Sequence, residues 1–138
     1  MNAHTTESAA HEDPEIRMTL LAEPSSVVLA RELVRYALTT WGYAQPLVQD
    51  SMLVMSEMVT NAVNAARGQE ILARVTVHQG APLLECWDPS PGLPQPCPAP
   101  TDSESGRGLL IIAGYAKEYG VRPSATRKGK VVWALMPS

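Results

Sequence analysis

The sequence of 138 residues is poor in cysteine and histidine, the side chains that build most zinc sites, and it contains no Phe. It has two cysteines, Cys86 and Cys97, and three histidines scattered at positions 4, 11 and 78. None of them has the spacing of a zinc site, and so few cysteines fit a reducing compartment. No segment reaches the roughly 18 to 20 apolar residues that span a bilayer, and the first residues lack the basic and apolar parts of a signal peptide. We therefore expect a cytoplasmic protein without zinc or a membrane segment.

Positive charge is also scarce, because 11 Lys and Arg residues stand against 14 Asp and Glu residues and the net charge is −3. Binding to nucleic acid or to an anionic membrane needs a clustered excess of Lys and Arg. The basic cluster near the C-terminus comprises Arg122, Arg127, Lys128 and Lys130. A solvated hairpin tip explains this cluster at least as well as a phosphate site does, so direct binding of nucleic acid is disfavoured.

Proline is abundant, and its distribution divides the chain. Half of the twelve prolines lie in PSPGLPQPCPAPTDSES, residues 89–105, which can form neither a helix nor a central strand. Loops of this length inside a compact domain are usually lids, binding loops or disordered segments. Residues 1–15 are polar and acidic without periodicity, so we expect a disordered N-terminal arm followed by one folded domain over residues 16–138.

The remaining sequence alternates between helix and strand patterns. A strand is predicted near RMTLLAE, and Ser25 or Ser26 is the expected N-cap of the first helix. The strands EILARVTVH and PLLECWD flank a hairpin turn at Gly80-Ala81-Pro82. The other predicted elements are helices over 27–41 and 46–67, a buried helix after residue 108, and strands over 118–122 and 131–136. This order predicts an α+β fold, a two-layer α/β sandwich in which a mostly antiparallel mixed sheet carries helices on one face.

The stretch SEMVTNAVNAA, residues 56–66, lies in the second predicted helix. At about 100° per residue its apolar side chains form one arc, while Glu57, Asn61 and Asn64 fall within about 60° of one another on the opposite side. Glu57 and Asn61 are one turn apart, so a carboxylate and an amide oxygen emerge side by side. Such a pair suits Mg²⁺ together with a water or hydroxyl that needs a base. A solvated helix face is the alternative interpretation.

Asp88 ends a predicted strand, and the following Pro89 takes the chain out of the sheet. A carboxylate at that position can accept a hydrogen bond from an exocyclic amine. Gly92, four residues on, would let the backbone approach a flat ligand. The alternative is an ordinary turn residue at a strand end.

Gly106-Arg107-Gly108 comes directly before the apolar run LLIIAGYA. Free N–H groups at a helix start form a cradle for an anion or a phosphate, and the glycines remove side-chain bulk. The motif is not the dinucleotide-binding fingerprint, because no strand precedes it and Ile111 stands where the third glycine would fall. Glycines that serve only the conformation of the turn are the alternative.

Taken together and in this order, the motifs resemble those of the GHKL ATPase superfamily, which includes gyrase, sensor histidine kinases and anti-sigma-factor serine kinases. SEMVTNAVNAA is similar to the N box of that family, WDPSPGLP to the first glycine box and ESGRGLLII to the second. The short chain, AEPSSVVLARELVR before the N box and GKVVWALMP at the end are most similar to the stand-alone anti-sigma-factor serine kinase branch of actinobacteria. The resemblance covers nearly all of residues 17–138 and implies the histidine kinase-like ATPase fold.

The resemblance also implies roles for the residues of the helix. Glu57 would be the catalytic base that accepts the proton of a protein serine or orients water. Asn61 would coordinate the Mg²⁺ ion that bridges the phosphates of ATP. Asn64, on the same face, is a further candidate for binding the nucleotide.

The other matching residues would hold the two ends of ATP. Asp88 would bind the adenine amino group, and Gly92 would shape the adenine wall. Residues 89–105 would be the mobile ATP lid. The residues that would close over the phosphates are Gly106, Arg107, Gly108 and Leu109.

The implied function is that of an ATP-binding serine/threonine protein kinase that is also an anti-sigma factor. Such a protein would sequester a sigma factor and phosphorylate a small anti-anti-sigma protein of the STAS type on serine, as a homodimer, with ATP and Mg²⁺ as cofactors. The alternative is a catalytically silent ATP-binding module that controls a protein partner through the position of its lid.

Overall fold

The computed structural model describes residues 14–91 and 104–138, and for residues 104–109 it describes the backbone alone. The helices in these ranges are α1 (Ser25–Thr40), α2 (Gln45–Ala65) and α3 (Glu104–Tyr115), and the strands are β1 (Glu15–Leu21), β2 (Glu70–His78), β3 (Ala81–Asp88), β4 (Glu118–Pro123) and β5 (Lys130–Leu135). Most of the predicted N-terminal arm lies outside the described residues, although Glu15 already belongs to β1. No helix in the described ranges has both the length and the apolar character needed to cross a membrane.

The five strands form one antiparallel sheet in the order β1-β2-β3-β5-β4. Side chains on one face of the sheet, such as Ala73, Leu84 and Ala134, are buried in a single core together with residues of α1, α2 and α3. The opposite face, which we call the open face, carries half-buried residues such as Leu72 and Trp133. The predicted α+β sandwich with helices on one face is therefore confirmed.

Helix α1 ends as predicted but begins differently. Gly42 has φ 87°, and Tyr43 donates its N–H to the Leu38 carbonyl at 3.0 Å, which closes the helix through a left-handed residue. At the other end, the predicted serine cap is wrong, because Pro24 is the N-cap and no side chain caps the first turn. Ser26 instead donates its hydroxyl back to the Leu21 carbonyl at 2.5 Å, so it ties the helix to β1.

The apolar arc of α2 is buried as the periodicity predicts. The residues of this arc that are at least nine-tenths buried are Met55, Met58, Val59, Ala62, Val63 and Ala66. Since α2 packs against α1, α3 and β3, it is the central helix of its layer. Its polar side chains are therefore held at fixed positions relative to the sheet below.

The predicted position of the hairpin turn needs correction. The β2–β3 turn is made by Gln79 and Gly80, both with positive φ, and Ala81 is already paired with His78. Strand β5 is not buried on both faces, because Val131 and Trp133 on the open face are only half-buried. No layer covers that face in the described residues, as is common for antiparallel sheets.

Among the described glycines, Gly129 has the least room for a side chain. Its φ is 105°, and a Cβ atom at this position would overlap the Asp88 carbonyl oxygen and lie 2.8 Å from Pro89 Cα. We expect Gly129→Ala to lower the free energy of unfolding by about 3 kcal/mol or more, because backbone strain and displacement of the end of β3 add together. Urea unfolding measures this loss.

Gly80→Ala is the matched control for that substitution. Gly80 has φ 82°, yet no atom lies within 4 Å of the position that its methyl group would take, so only the conformational strain of about 1 kcal/mol applies. Equal losses for the two variants would show that the contact between Gly129 and the end of β3 contributes nothing to stability.

Candidate functional site

The ends of several strands meet at one end of the sheet. The strand register places Leu21 opposite Glu70, Leu72 opposite Trp87, and Asp88 opposite Lys130. The end of β3 and the start of β5 therefore lie at the same end of the sheet as the start of β2. We call this the Asp88 end, because Asp88 is its most buried acidic residue.

The helix motifs that contain Glu57 and Gly106 also lie at the Asp88 end. Helix α2 stops shortly before β2 begins, so the half of α2 that carries Glu57 and Asn61 lies there. Helix α3 leads into β4, which starts opposite Leu135 at the far end of the sheet. Since α3 also packs against α2, whose second half lies at the Asp88 end, we infer that its first turn points toward that end.

Asp88 is 2% exposed and is held by three hydrogen bonds to one of its two oxygens. Its Oδ1 accepts from the Ser90 backbone N–H at 2.8 Å, from the Ser90 hydroxyl at 2.5 Å and from Lys130 Nζ at 3.0 Å. Among the described residues, nothing donates to Oδ2. The carboxylate is thus oriented through Oδ1, and Oδ2 is left as an acceptor for a ligand.

Lys130 is a member of this site that the sequence pattern does not reveal. It is 8% exposed, and its Nζ donates to Ser90 Oγ as well as to Asp88. Its place in a basic run predicts a solvated hairpin tip, which is wrong for this residue. Only the pairing of β3 with β5, two strands 42 positions apart at this point, brings Lys130 next to Asp88.

The polar residues of α2 differ in their exposure to solvent. Glu57 and Asn61 are half-buried, whereas Asn64 is exposed. The two residues that the resemblance links to catalysis and to Mg²⁺ thus share an environment that Asn64 does not. The role of Asn64 in binding the nucleotide stays a prediction.

The glycine motif of α3 lies inside the helix, which corrects the predicted turn. Helix α3 begins at Glu104, so Gly106, Arg107, Gly108 and Leu109 belong to its first two turns. The N–H groups without an intrahelical acceptor come before the fourth residue of a helix, so they include that of Gly106 but not those of Arg107 and Gly108. The helix is also less buried than predicted, because Leu110 is 72% exposed while Ile112 faces the core.

Two further predictions fall outside the described residues. These are Gly92 and most of the lid, whose residues 92–103 are not described. The flanks of the lid, Pro91 and Glu104, are both at the Asp88 end because they follow β3 and begin α3.

The described residues suit a metal ion that arrives bound to a nucleotide better than a metal ion that the protein holds by itself. They contain no group of three or more His, Cys, Asp or Glu side chains that could hold a metal. A Mg²⁺ ion that arrives with ATP needs only one or two protein ligands, and Asn61, a half-buried residue with an amide oxygen, suits that need. Burial, reinforced by the Asp88 charge, raises the pKa of the Cys86 thiol to about 12, so this thiol stays protonated and is not a metal ligand or nucleophile.

Comparison with known proteins agrees with the fold. A family model described as a histidine kinase-like ATPase domain matches residues 20–136. No curated protein sequence matches the chain. Among solved structures, the SiaB-SiaC complex from Pseudomonas aeruginosa contains a chain of similar fold, with a TM-score of 0.65 and 13% sequence identity, over 97% of this chain and 95% of that chain. At this identity the likeness shows the fold alone.

Proposed function

Because the chain belongs to the histidine kinase-like ATPase domain family, we propose that it binds ATP at the Asp88 end of its sheet and transfers the γ-phosphate to a protein serine. The observation that carries the proposal is the buried Asp88 carboxylate, which is oriented by Ser90 and Lys130 while Oδ2 has no donor in the described residues. The half-buried Glu57 and Asn61 lie on the central helix at the same end.

The pair formed by Asp88 and Lys130 suits an adenine base. Adenine presents a donor, the N6 amino group, beside an acceptor, N1. Asp88 Oδ2 is an acceptor, and Lys130 Nζ, which uses two of its three hydrogens on Asp88 and Ser90, has one left to donate. Guanine offers an acceptor and a donor in the reverse order, so the same pair disfavours GTP.

The phosphates would lie between α2 and the start of α3. Asn61 would hold Mg²⁺, which neutralises phosphate charge when bound, and Glu57 would accept the proton of the attacking hydroxyl. The free backbone N–H groups of the first turn of α3, which include that of Gly106, would face the phosphates, and Arg107 would close over them as the family resemblance implies. Gly108, Leu109 and Gly92 would contribute through the lid and the adenine wall, as the family resemblance implies.

The partner would be a protein. The SiaB-SiaC structure is itself a complex of two proteins, and this supports a protein ligand for a chain of the same fold. We propose an anti-sigma factor that sequesters a sigma factor and phosphorylates a small anti-anti-sigma protein of the STAS type, acting as a homodimer in the cytoplasm.

A catalytically silent ATP-binding module is the second candidate function. Pro89 and Pro91 restrict the backbone directly after Asp88, at the start of the segment that a kinase moves as its lid. In this case ATP binding alone would change the partner-binding surface, and no phosphoserine would form.

Titration of the purified chain with Mg-ATP, Mg-ADP and Mg-GTP tests the proposal. We expect both adenine nucleotides to bind and GTP to bind at least about tenfold more weakly, because the base contacts reverse their polarity and one charged hydrogen bond contributes about 1.5 to 3 kcal/mol. Calorimetry at constant Mg²⁺ measures the three affinities. Absence of binding by all three nucleotides contradicts the proposal, and equal affinity for ATP and GTP contradicts the assignment of the base contacts.

A further inference from the structure

The open face of the sheet carries a pocket that the proposed nucleotide site does not use. Its volume is about 270 Å³, and it lies between the sheet and the β4–β5 loop, residues 124–129. The charged and aromatic residues that line it are Arg17, Arg74, Glu85, Trp87, Arg122 and Arg127. Four guanidinium groups thus converge in a chain whose net charge is −3.

The charges in this pocket do not balance. Glu85 is 6% exposed and accepts hydrogen bonds from Arg74 and, at 2.5 Å, from Arg122. Glu15, at the edge of the pocket, accepts from Arg74 at 2.9 Å and from Arg17 at 2.6 Å. Two carboxylates therefore face four guanidinium groups, and an excess of two positive charges remains.

Arg127 is the arginine of the pocket without an acidic partner among the described residues. Its guanidinium carbon lies 4.5 Å from the centroid of the Trp87 ring, which is a cation–π contact. Trp87 in turn donates its Nε1–H to the Lys128 carbonyl at 3.0 Å, so the loop that carries Arg127 is fixed over the sheet. The N–H donors of Arg127 are thus held in place and available to an anion.

The N-terminal arm of the chain has the complementary charge. Residues 1–13 contain Glu7, Glu12 and Asp13 and no Lys or Arg. They precede Glu15, whose carboxylate accepts hydrogen bonds from Arg17 and Arg74. A segment of this length spans up to about 45 Å when extended, whereas β1 and β4 are about 19 Å apart across the sheet, so the arm can reach the whole pocket.

We propose that the open-face pocket is the docking site of the acidic N-terminal arm of the same chain. Glu12 and Asp13 neutralise the two positive charges that Glu15 and Glu85 leave in excess, and one of them binds Arg127, which has no acidic partner among the described residues. A second copy of the open face is the poorer occupant, because two such pockets brought face to face would oppose like charges. The inference is independent of the proposed nucleotide site, which lies at the end of the sheet.

NMR of the full-length ¹⁵N-labelled chain tests the proposal. At an ionic strength of about 20 mM, we expect raised heteronuclear NOE values for the arm amides, and at about 0.5 M NaCl we expect these values to fall, because salt screens exposed charge pairs. Glu12→Gln/Asp13→Asn and Arg127→Gln should each release the arm at low salt and shift the indole N–H resonance of Trp87. Arg31→Gln, an exposed substitution on α1, is the matched control and should leave the arm signals unchanged.

Two results overturn the proposal. Arm amides that have the same low NOE values in the unmodified chain and in all three variants, at both salt concentrations, show that the arm does not dock. Arm protection that increases with protein concentration shows that the arm binds a second copy instead of its own chain.

Discussion

Glu57→Gln is expected to slow phosphoryl transfer from ATP by about 10²- to 10⁴-fold, which is the usual contribution of a general base. The amide has the shape and size of the carboxylate but cannot accept the proton of the attacking hydroxyl. Glu57 is half-buried on α2, the helix that packs against α1, α3 and β3, so its position is fixed by the core. ATP affinity should change little, because the proposed base contacts the hydroxyl and not the nucleotide.

Single-turnover assays with γ-labelled ATP and excess protein measure this effect, with release of phosphate to water as the readout. Gln49→Ala is the matched control, because Gln49 is exposed on the same helix about two turns earlier. We expect the control to turn over at the rate of the unmodified chain. If Glu57→Gln turns over as fast as the control, Glu57 is not the catalytic base.

The fold was predictable because the apolar pattern and the local signals agree along most of the chain. The predicted strand EILARVTVH has the bounds of β2, and Gly42 ends α1 in the left-handed conformation that only glycine adopts readily. The apolar arc of α2 follows from a period of about 3.6 residues, and it is buried as that period requires.

The predictions that are wrong concern positions at which a residue can adopt several local structures. Ser25 and Ser26 are both good caps by type, but the hydroxyl of Ser26 finds a better acceptor in the Leu21 carbonyl of the neighbouring strand. Glycines at 106 and 108 suggest a turn, yet α3 starts two residues before the first of them and continues through both. Such choices depend on tertiary neighbours that a local pattern does not contain.

The candidate site was predictable residue by residue only where one element contains the pattern. Glu57 and Asn61 share one helix, so their relation follows from helix geometry alone. Lys130 belongs to a basic run in the sequence, and its burial beside Asp88 depends on the register between β3 and β5. That register is set by the complete sheet, so the local pattern suggests a solvated lysine where the fold buries one.

The presence of Lys130 changes what substitution of Asp88 should do. Asp88→Asn removes the carboxylate partner of an ammonium group that is itself nearly buried, and such a loss costs about 3 to 5 kcal/mol of stability. We therefore expect Asp88→Asn to weaken both the fold and ATP binding. Weaker binding by this variant cannot by itself be assigned to the adenine contact.

The double variant Asp88→Asn/Lys130→Met separates the two effects. Without the ammonium group no buried charge lacks a partner, so the free energy of unfolding should recover most of the loss. The two Ser90 donors hold the oxygen of the introduced amide in the place of Oδ1, and the NH₂ group of that amide then takes the place of Oδ2 and opposes the adenine amine.

ATP affinity of the double variant should therefore stay about 10- to 100-fold below that of Lys130→Met alone, from the loss of a charged hydrogen bond of about 1.5 to 3 kcal/mol. Urea unfolding and calorimetry on the same preparations give both quantities. Lys130→Met alone is the reference, because it lacks the same proposed hydrogen bond from Lys130 to adenine but keeps the Asp88 carboxylate with its two Ser90 donors. A double variant that binds ATP as tightly as Lys130→Met alone would place the adenine away from Asp88.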